Sequence, residues 1–255
     1  MITDIQKLLA IFLLAVSLPG YAQQPAVQQR IFLVGDAGEF TNGKHPVCDW
    51  LKTHVNWNDT SNMLVYLGDN IYPAGLPNPG EKSYDRSVKL FDYQVSVVKD
   101  KQARAIFIPG NHDWKKGKPD GWEQVKNAGR YIESLQLSNV DVLPKNGCAG
   151  PEEVLVGDKA VLVCMDSQWW LHPFEKPGIE SECGAQTEEV IAALQEIIAK
   201  YPDRLIILAM HHPFHSNSIH GGYYTWKQHL FPLTDANPDL YIPLPVIGSL
   251  YPFSR

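Results

Sequence analysis

Five short apolar runs recur along the chain, and each one leads directly into polar residues. They are Arg30–Val34 (RIFLV), Met63–Leu67 (MLVYL), Arg104–Ile108 (RAIFI), Ala160–Met165 (AVLVCM) and Arg204–Met210 (RLIILAM). The runs are continuously apolar rather than alternating, which predicts strands covered on both faces. Helical patterns lie between them. Val88, Phe91, Val95 and Val98 follow a 3.6 period within Asp85–Asp100. Val190, Ile191, Leu194, Ile197 and Ile198 do the same within Thr187–Tyr201, with Thr187 as expected N-cap and Glu188 and Glu189 in the first turn. VLVGDKAVLV around Gly157 predicts a hairpin. Strand–helix alternation predicts an α/β sandwich. The chain has 255 residues, 44% of them hydrophobic, enough for a core of ordinary size. The Pro/Gly-rich loop Pro73–Tyr84 is too short to link domains.

The residues after the runs carry the chemistry. RIFLV enters Gly35-Asp36-Ala37-Gly38, MLVYL enters Gly68-Asp69-Asn70-Ile71-Tyr72, and RAIFI enters Pro109-Gly110-Asn111-His112-Asp113. AVLVCM enters Asp166-Ser167, and RLIILAM enters His211-His212-Pro213. Open α/β sheets bind ligands beyond the carboxyl ends of their strands. Each short motif alone is compatible with an ordinary turn. Five together point to one site. Carboxylates, an amide oxygen, imidazoles and a phenol are hard to borderline ligands, suited to iron, zinc or manganese. A carboxylate can bridge two ions, and a phenolate such as Tyr72 favours a ferric ion. Two adjacent ions can clamp a phosphoryl group and activate water.

The ordered set GDAG, GDNIY, GNHD and AMHHP resembles the calcineurin-like metallophosphoesterase superfamily, over Arg30 to about Gly222. Tyr72, four positions after Gly68, makes it similar to the purple acid phosphatase branch. The resemblance implies a four-layer α/β/β/α sandwich and two metal ions, Fe(III) with Fe(II), Zn or Mn. It implies Asp36 and Tyr72 on the first metal, Asp69 bridging, and Asn111 and His211 on the second. His112 would face the phosphoryl group or protonate the leaving alcohol, with Asp113 orienting it. His220, nine residues after His211, would stand near the phosphate or lie in a surface loop. The implied substrate is a small phosphomonoester. A phosphodiesterase of the same fold, or a catalytically incomplete module of a larger envelope protein, are the alternatives. The family closes its site with a GHxH motif, and none of His212, His215, His220 and His229 belongs to one. The expectation is a chain truncated before that motif, with a site incomplete at its C-terminal side.

Residues 1–22 read as an export signal: Lys7, then apolar Leu8 to Leu18, then Gly20 and Ala22 as small residues before a cleavage point. The apolar run is too short to span a bilayer, and an uncleaved anchor is the alternative. The mature domain is then 23–255, with its core at 30–222, exported to the periplasm, envelope or medium. Cys148 and Cys183 lie in loop-like sequence and can pair; Cys164 sits in an apolar run as an expected buried thiol. No Cys/His zinc spacing occurs. A net charge of −6 lacks the footprint of a general nucleic-acid binder. Lys115, Lys116 and Lys118 read as a solvated loop, and Trp169-Trp170 as packing or a substrate rim. His45 and His54 fall on an expected helix without visible partners, and His172 has no assigned role.

Overall fold

The apolar runs form strands, and their pairing creates two sheets. The computed structural model describes residues 27–178, 181, 183, 186–217, 223–235 and 237–250. The expected export segment and His220 lie outside them. Strands β1 (Arg30–Val34), β2 (Asn62–Tyr66), β3 (Arg104–Phe107) and β4 (Val140–Val142) form a parallel sheet in the order β1-β2-β3-β4. Strands β5 (Glu152–Val156), β6 (Ala160–Cys164) and β7 (Leu205–Ala209) form a second sheet. In it β5 and β6 make the expected antiparallel hairpin, and β7 runs parallel to β6.

Parallel neighbours require crossovers, and helices supply them. Helices α1 (Pro46–His54), α2 (Tyr84–Val95) and α3 (Gly121–Ser134) connect β1 through β4 in turn. Alternation along the strands then sets the layers. Leu64, Tyr66, Ala105 and Phe107 pack against Cys48 and Leu51 of α1, Leu90 and Phe91 of α2, and Ile132 of α3. Met63, Val65, Ile106 and Ile108 point the other way, onto Val154, Val156, Leu162, Cys164 and Ala209 of the second sheet. The outer face of that sheet, through Val161 and Val163, packs on Val190, Leu194 and Ile197 of α4 (Thr187–Lys200). The layers are therefore α/β/β/α, as expected.

Several local features differ from the sequence reading. Strands β1 and β7 are not covered on both faces: Leu33 is 57% and Leu205 is 65% exposed. Each has one paired neighbour among the described residues, and an apolar run reads alike at an edge and at a centre. Helix α2 stops at Val95 instead of continuing to Asp100, because Val97 and Val98 close three-residue turns onto Gln94 and Val95. The N-cap of α4 is Gln186, not Thr187; its N–H donates to Glu189 Oε2 at 2.8 Å. Trp169 is buried, and Trp170 Nε1–H donates to Thr187 Oγ1 at 3.2 Å, so this pair serves packing. Cys148 and Cys183 form a disulfide, while Cys48 and Cys164 are buried free thiols. Among the described residues no helix is long and apolar enough to cross a membrane.

The core depends most on the centre of the first sheet. Phe107 is fully buried, stacked on Tyr66 at 4.4 Å and edge-on to Phe91 at 4.8 Å. Phe107→Ala is expected to cost about 3–5 kcal/mol in urea unfolding. Leu33→Ala, at the exposed edge, is expected to cost about 0.5 kcal/mol. Equal costs would contradict this placement of the core.

Candidate metal centre

Because β1, β2 and β3 are parallel, the loops after them leave from one edge of the sheet. Backbone bonds join these loops: Asp36 N–H donates to Gly68 O at 3.0 Å and Tyr72 N–H to Gly38 O at 2.8 Å. Asp36 and Asp69 both stand at φ +56°, a left-handed conformation uncommon outside glycine and best tolerated by Asp and Asn. It turns each strand end sharply and brings the two carboxylates toward one point. The approach is close enough to exclude a side chain at Gly110, where a Cβ would overlap the backbone nitrogen and Oδ1 of Asp69.

Asp69 is the common member. Its Oδ2 is 3.0 Å from the Tyr72 hydroxyl, which also meets Asp36 Oδ1 at 2.9 Å. Its Oδ1 accepts the His112 N–H at 2.9 Å and lies 3.5 Å from His211 Nε2. His211 Nε2 is in turn 3.1 Å from Asn111 Oδ1. The five residues expected as ligands thus stand in two groups that share Asp69. Ligand atoms of Asp36, Asp69 and His211 all lie within 4.8 Å of one another.

The donor set suits a cation. His211 Nδ1–H donates to Leu67 O at 2.8 Å. In the neutral ring that leaves Nε2 as a lone pair, facing Asn111 Oδ1 and Asp69 Oδ1. A ring fixed through its second nitrogen by a backbone carbonyl is the usual state of a metal-ligating histidine. Burial, then the charges of Asp69 and Asp36, raise the pKa of the Tyr72 phenol. A bound cation would oppose that shift.

Around this cluster the roles of several residues become clear. His112 Nδ1–H donates to Pro73 O at 2.8 Å, and its ring packs edge-on against Tyr72 at 4.3 Å. Pro73, not Asp113, therefore orients His112. Asp113 faces inward and accepts N–H groups from Gly110 (2.8 Å), Asn70 (3.1 Å) and Ile71 (3.2 Å), pinning two of the loops together. Burial pushes its carboxyl pKa up to about 7 against the lowering effect of the Gly110 N–H.

The fourth strand end is structural. Asp166 is buried and accepts Trp114 Nε1–H at 2.7 Å, and burial raises its pKa to about 8. Ser167 Oγ accepts the His212 N–H at 2.9 Å, steadying the turn that carries His211. His45, without visible partners in sequence, is buried and donates from Nε2 to Ala37 O at 2.7 Å, one residue from Asp36. Its position just before Pro46 was the available signal, since residues there often cap helices. His54 bonds within its own helix, to Trp50 O at 2.9 Å. Lys115 pairs with Asp120 at 3.3 Å. His172 is buried against Trp114, with neither ring nitrogen hydrogen-bonded among the described residues.

The family model for calcineurin-like phosphoesterases matches residues 29–242. The chain belongs to that family, whose members are metal-dependent phosphoester hydrolases. No curated protein matches the chain.

Asp166 sets a pH dependence of folding that is separate from metal binding. An unfolded aspartate titrates near about 3.9, and the folded one near about 8. Between those values the native state holds a proton that the unfolded chain has released. Unfolding free energy therefore falls as pH rises from about 4 to about 8. Asp113 adds to the same trend. Urea midpoints in chelator at pH 5 and pH 8 are expected to differ less for Asp166→Asn than for wild type. An unchanged or larger difference would show that Asp166 is not held protonated.

The glycine requirement gives a second expectation. Gly110→Ala displaces the Asp69 carboxylate and is expected to weaken zinc binding at least tenfold, measured by calorimetry. Wild-type affinity in that variant would contradict the close approach.

Proposed function

We propose, from membership of the calcineurin-like phosphoesterase family, that this chain is an exported phosphomonoesterase of purple acid phosphatase type with a dinuclear metal site. The observation that carries the reading is the Tyr72 hydroxyl placed between Asp36 and Asp69. A phenol sharing its position with two carboxylates is a ligand set suited to a ferric ion. Asp36 and Tyr72 would hold the first ion, Asn111 and His211 the second, and Asp69 would bridge them. The second ion would be Fe(II), Zn or Mn. When bound, the pair supplies charge to stabilise the phosphoryl oxygens and lowers the pKa of water.

The chain's own groups position and protonate the substrate. His112 Nδ1 is committed to the Pro73 carbonyl, so Nε2 is the atom free to carry a proton. It lies 3.8 Å from Asp69 Oδ2, at the edge of the ligand cluster. From there it can hydrogen-bond a phosphoryl oxygen and give its proton to the departing alcohol. Such a transfer contributes typically 10²–10⁴-fold. Asp113 acts behind it by holding the 68–72 and 110–113 segments in register. Export is supported by the sequence of residues 1–22 and by the Cys148–Cys183 disulfide, which persists in oxidising compartments.

Metal analysis and visible absorption of the pure protein test this reading. Iron with a ferric–tyrosinate band is expected, lost in Tyr72→Phe, with Asp69→Asn reducing the content of both ions. Phosphomonoester hydrolysis should cease on chelation, and His112→Asn should lower kcat about 10²–10⁴-fold. Colourless, metal-free protein that still hydrolyses the ester would falsify the assignment.

A further inference from the structure

We propose that Arg86 is a positioning residue of the metal centre, clamping the loop that carries Asp36 to the loop that carries Asp69 and Tyr72. Arg86 lies in the first turn of α2, outside every motif. Its Nη1 donates to Tyr72 O at 2.7 Å, and its Nη2 pairs with Glu39. Glu39 stands three residues after Asp36, and Tyr72 carries the phenol that meets both carboxylates. One planar guanidinium therefore holds acceptors from both loops at a fixed separation, as its rigid fork allows and a lysine ammonium does not.

Helix stability does not account for this arginine. A cation in the first turn opposes the helix dipole. Nor does global stability: the side chains of Arg86 and Glu39 are 43% and 52% exposed, and such pairs contribute about 0–1 kcal/mol. What the contact does is local. Helix α2 secures the second loop at further points, through Ser87 Oγ to Gly75 O at 3.4 Å and the buried Gln94 Nε2 to Asn70 O at 2.7 Å. These bonds reach the second loop alone. Among the side chains of α2 that fix it, Arg86 is the one that also reaches the first loop through Glu39.

The inference rests on the metal reading above, and the test separates the two. Zinc affinity by calorimetry and thermal midpoints in chelator are measured for wild type, Arg86→Ala, Glu39→Gln and the double variant. Hydrogen exchange of segment 68–75 is followed in chelator. Arg86→Ala is expected to weaken zinc binding about 10–100-fold while shifting the metal-free midpoint by no more than about 2–4 °C. The double variant should bind no more weakly than Arg86→Ala, because both changes break one contact. Wild-type affinity in Arg86→Ala overturns the proposal. So do additive losses in the double variant, or a larger fall of the metal-free midpoint. If wild type itself binds no zinc, the metal reading fails, and exchange decides on Arg86. Faster exchange in Arg86→Ala then upholds the clamp, and unchanged exchange overturns it.

Discussion

A carboxylate at the end of a fully buried strand governs this structure. Strand β2 is buried at every position and ends one short turn before Asp69, which is 3% exposed. A carboxylate removed from water is costly unless charge and hydrogen bonds compensate it. Hydrogen bonds supply part of that compensation: the His112 N–H arrives from β3, and the Tyr72 hydroxyl from Asp69's own loop. Asp36 after β1 and the His211 lone pair after β7 bring further acceptors, which a bound cation would balance. The sheet order places β2 between β1 and β3, so Asp69 is the residue all these loops can reach.

Much of this was legible because the motifs encode backbone demands as well as chemistry. Asp36 and Asp69 occupy left-handed conformations, and Gly110 must lack a side chain. Such requirements leave short, recognisable words in the sequence. The central strands β2, β3 and β6 were legible for a similar reason, since a doubly covered strand must be continuously apolar, whereas β1 and β7 carry the same pattern with one face exposed. Pattern gave no signal where the partner is a backbone carbonyl. Pro73 O orients His112, and Leu67 O orients His211, yet any residue supplies a carbonyl. The family resemblance implies Asp113 as the partner of His112, but a buried carboxylate near three free N–H groups satisfies them first. Arg86 and Gln94 were invisible, because their partners are 14 and 24 residues away in sequence.

The two sheets contribute differently to the site. The first supplies Asp36, Asp69, Tyr72, Asn111 and His112 from three adjacent parallel strands. The second supplies His211 from β7, while the end of β6 serves as its support. Asp166 takes the indole of Trp114, next to Asp113, and Ser167 takes the backbone of His212, next to His211. A polar strand end is thus no guarantee of a ligand. Asp166 is fully buried and neutralised by its surroundings, whereas Asp36 remains exposed to receive one.

The phenol of Tyr72 links this electrostatic arrangement to function. Its proton lies between Asp36 Oδ1 and Asp69 Oδ2, and burial together with both carboxylates raises its pKa. A ligand phenolate requires the opposite. A cation seated there must displace that proton, so its binding is coupled to proton release and strengthens as pH rises. The same cation cancels the repulsion between the carboxylates that the left-handed turns hold together. The strain at Asp36 and Asp69 and the raised pKa of Tyr72 are then two expressions of one design: acceptors brought closer than they would settle on their own, at the sheet edge where the proposed metal site would stand.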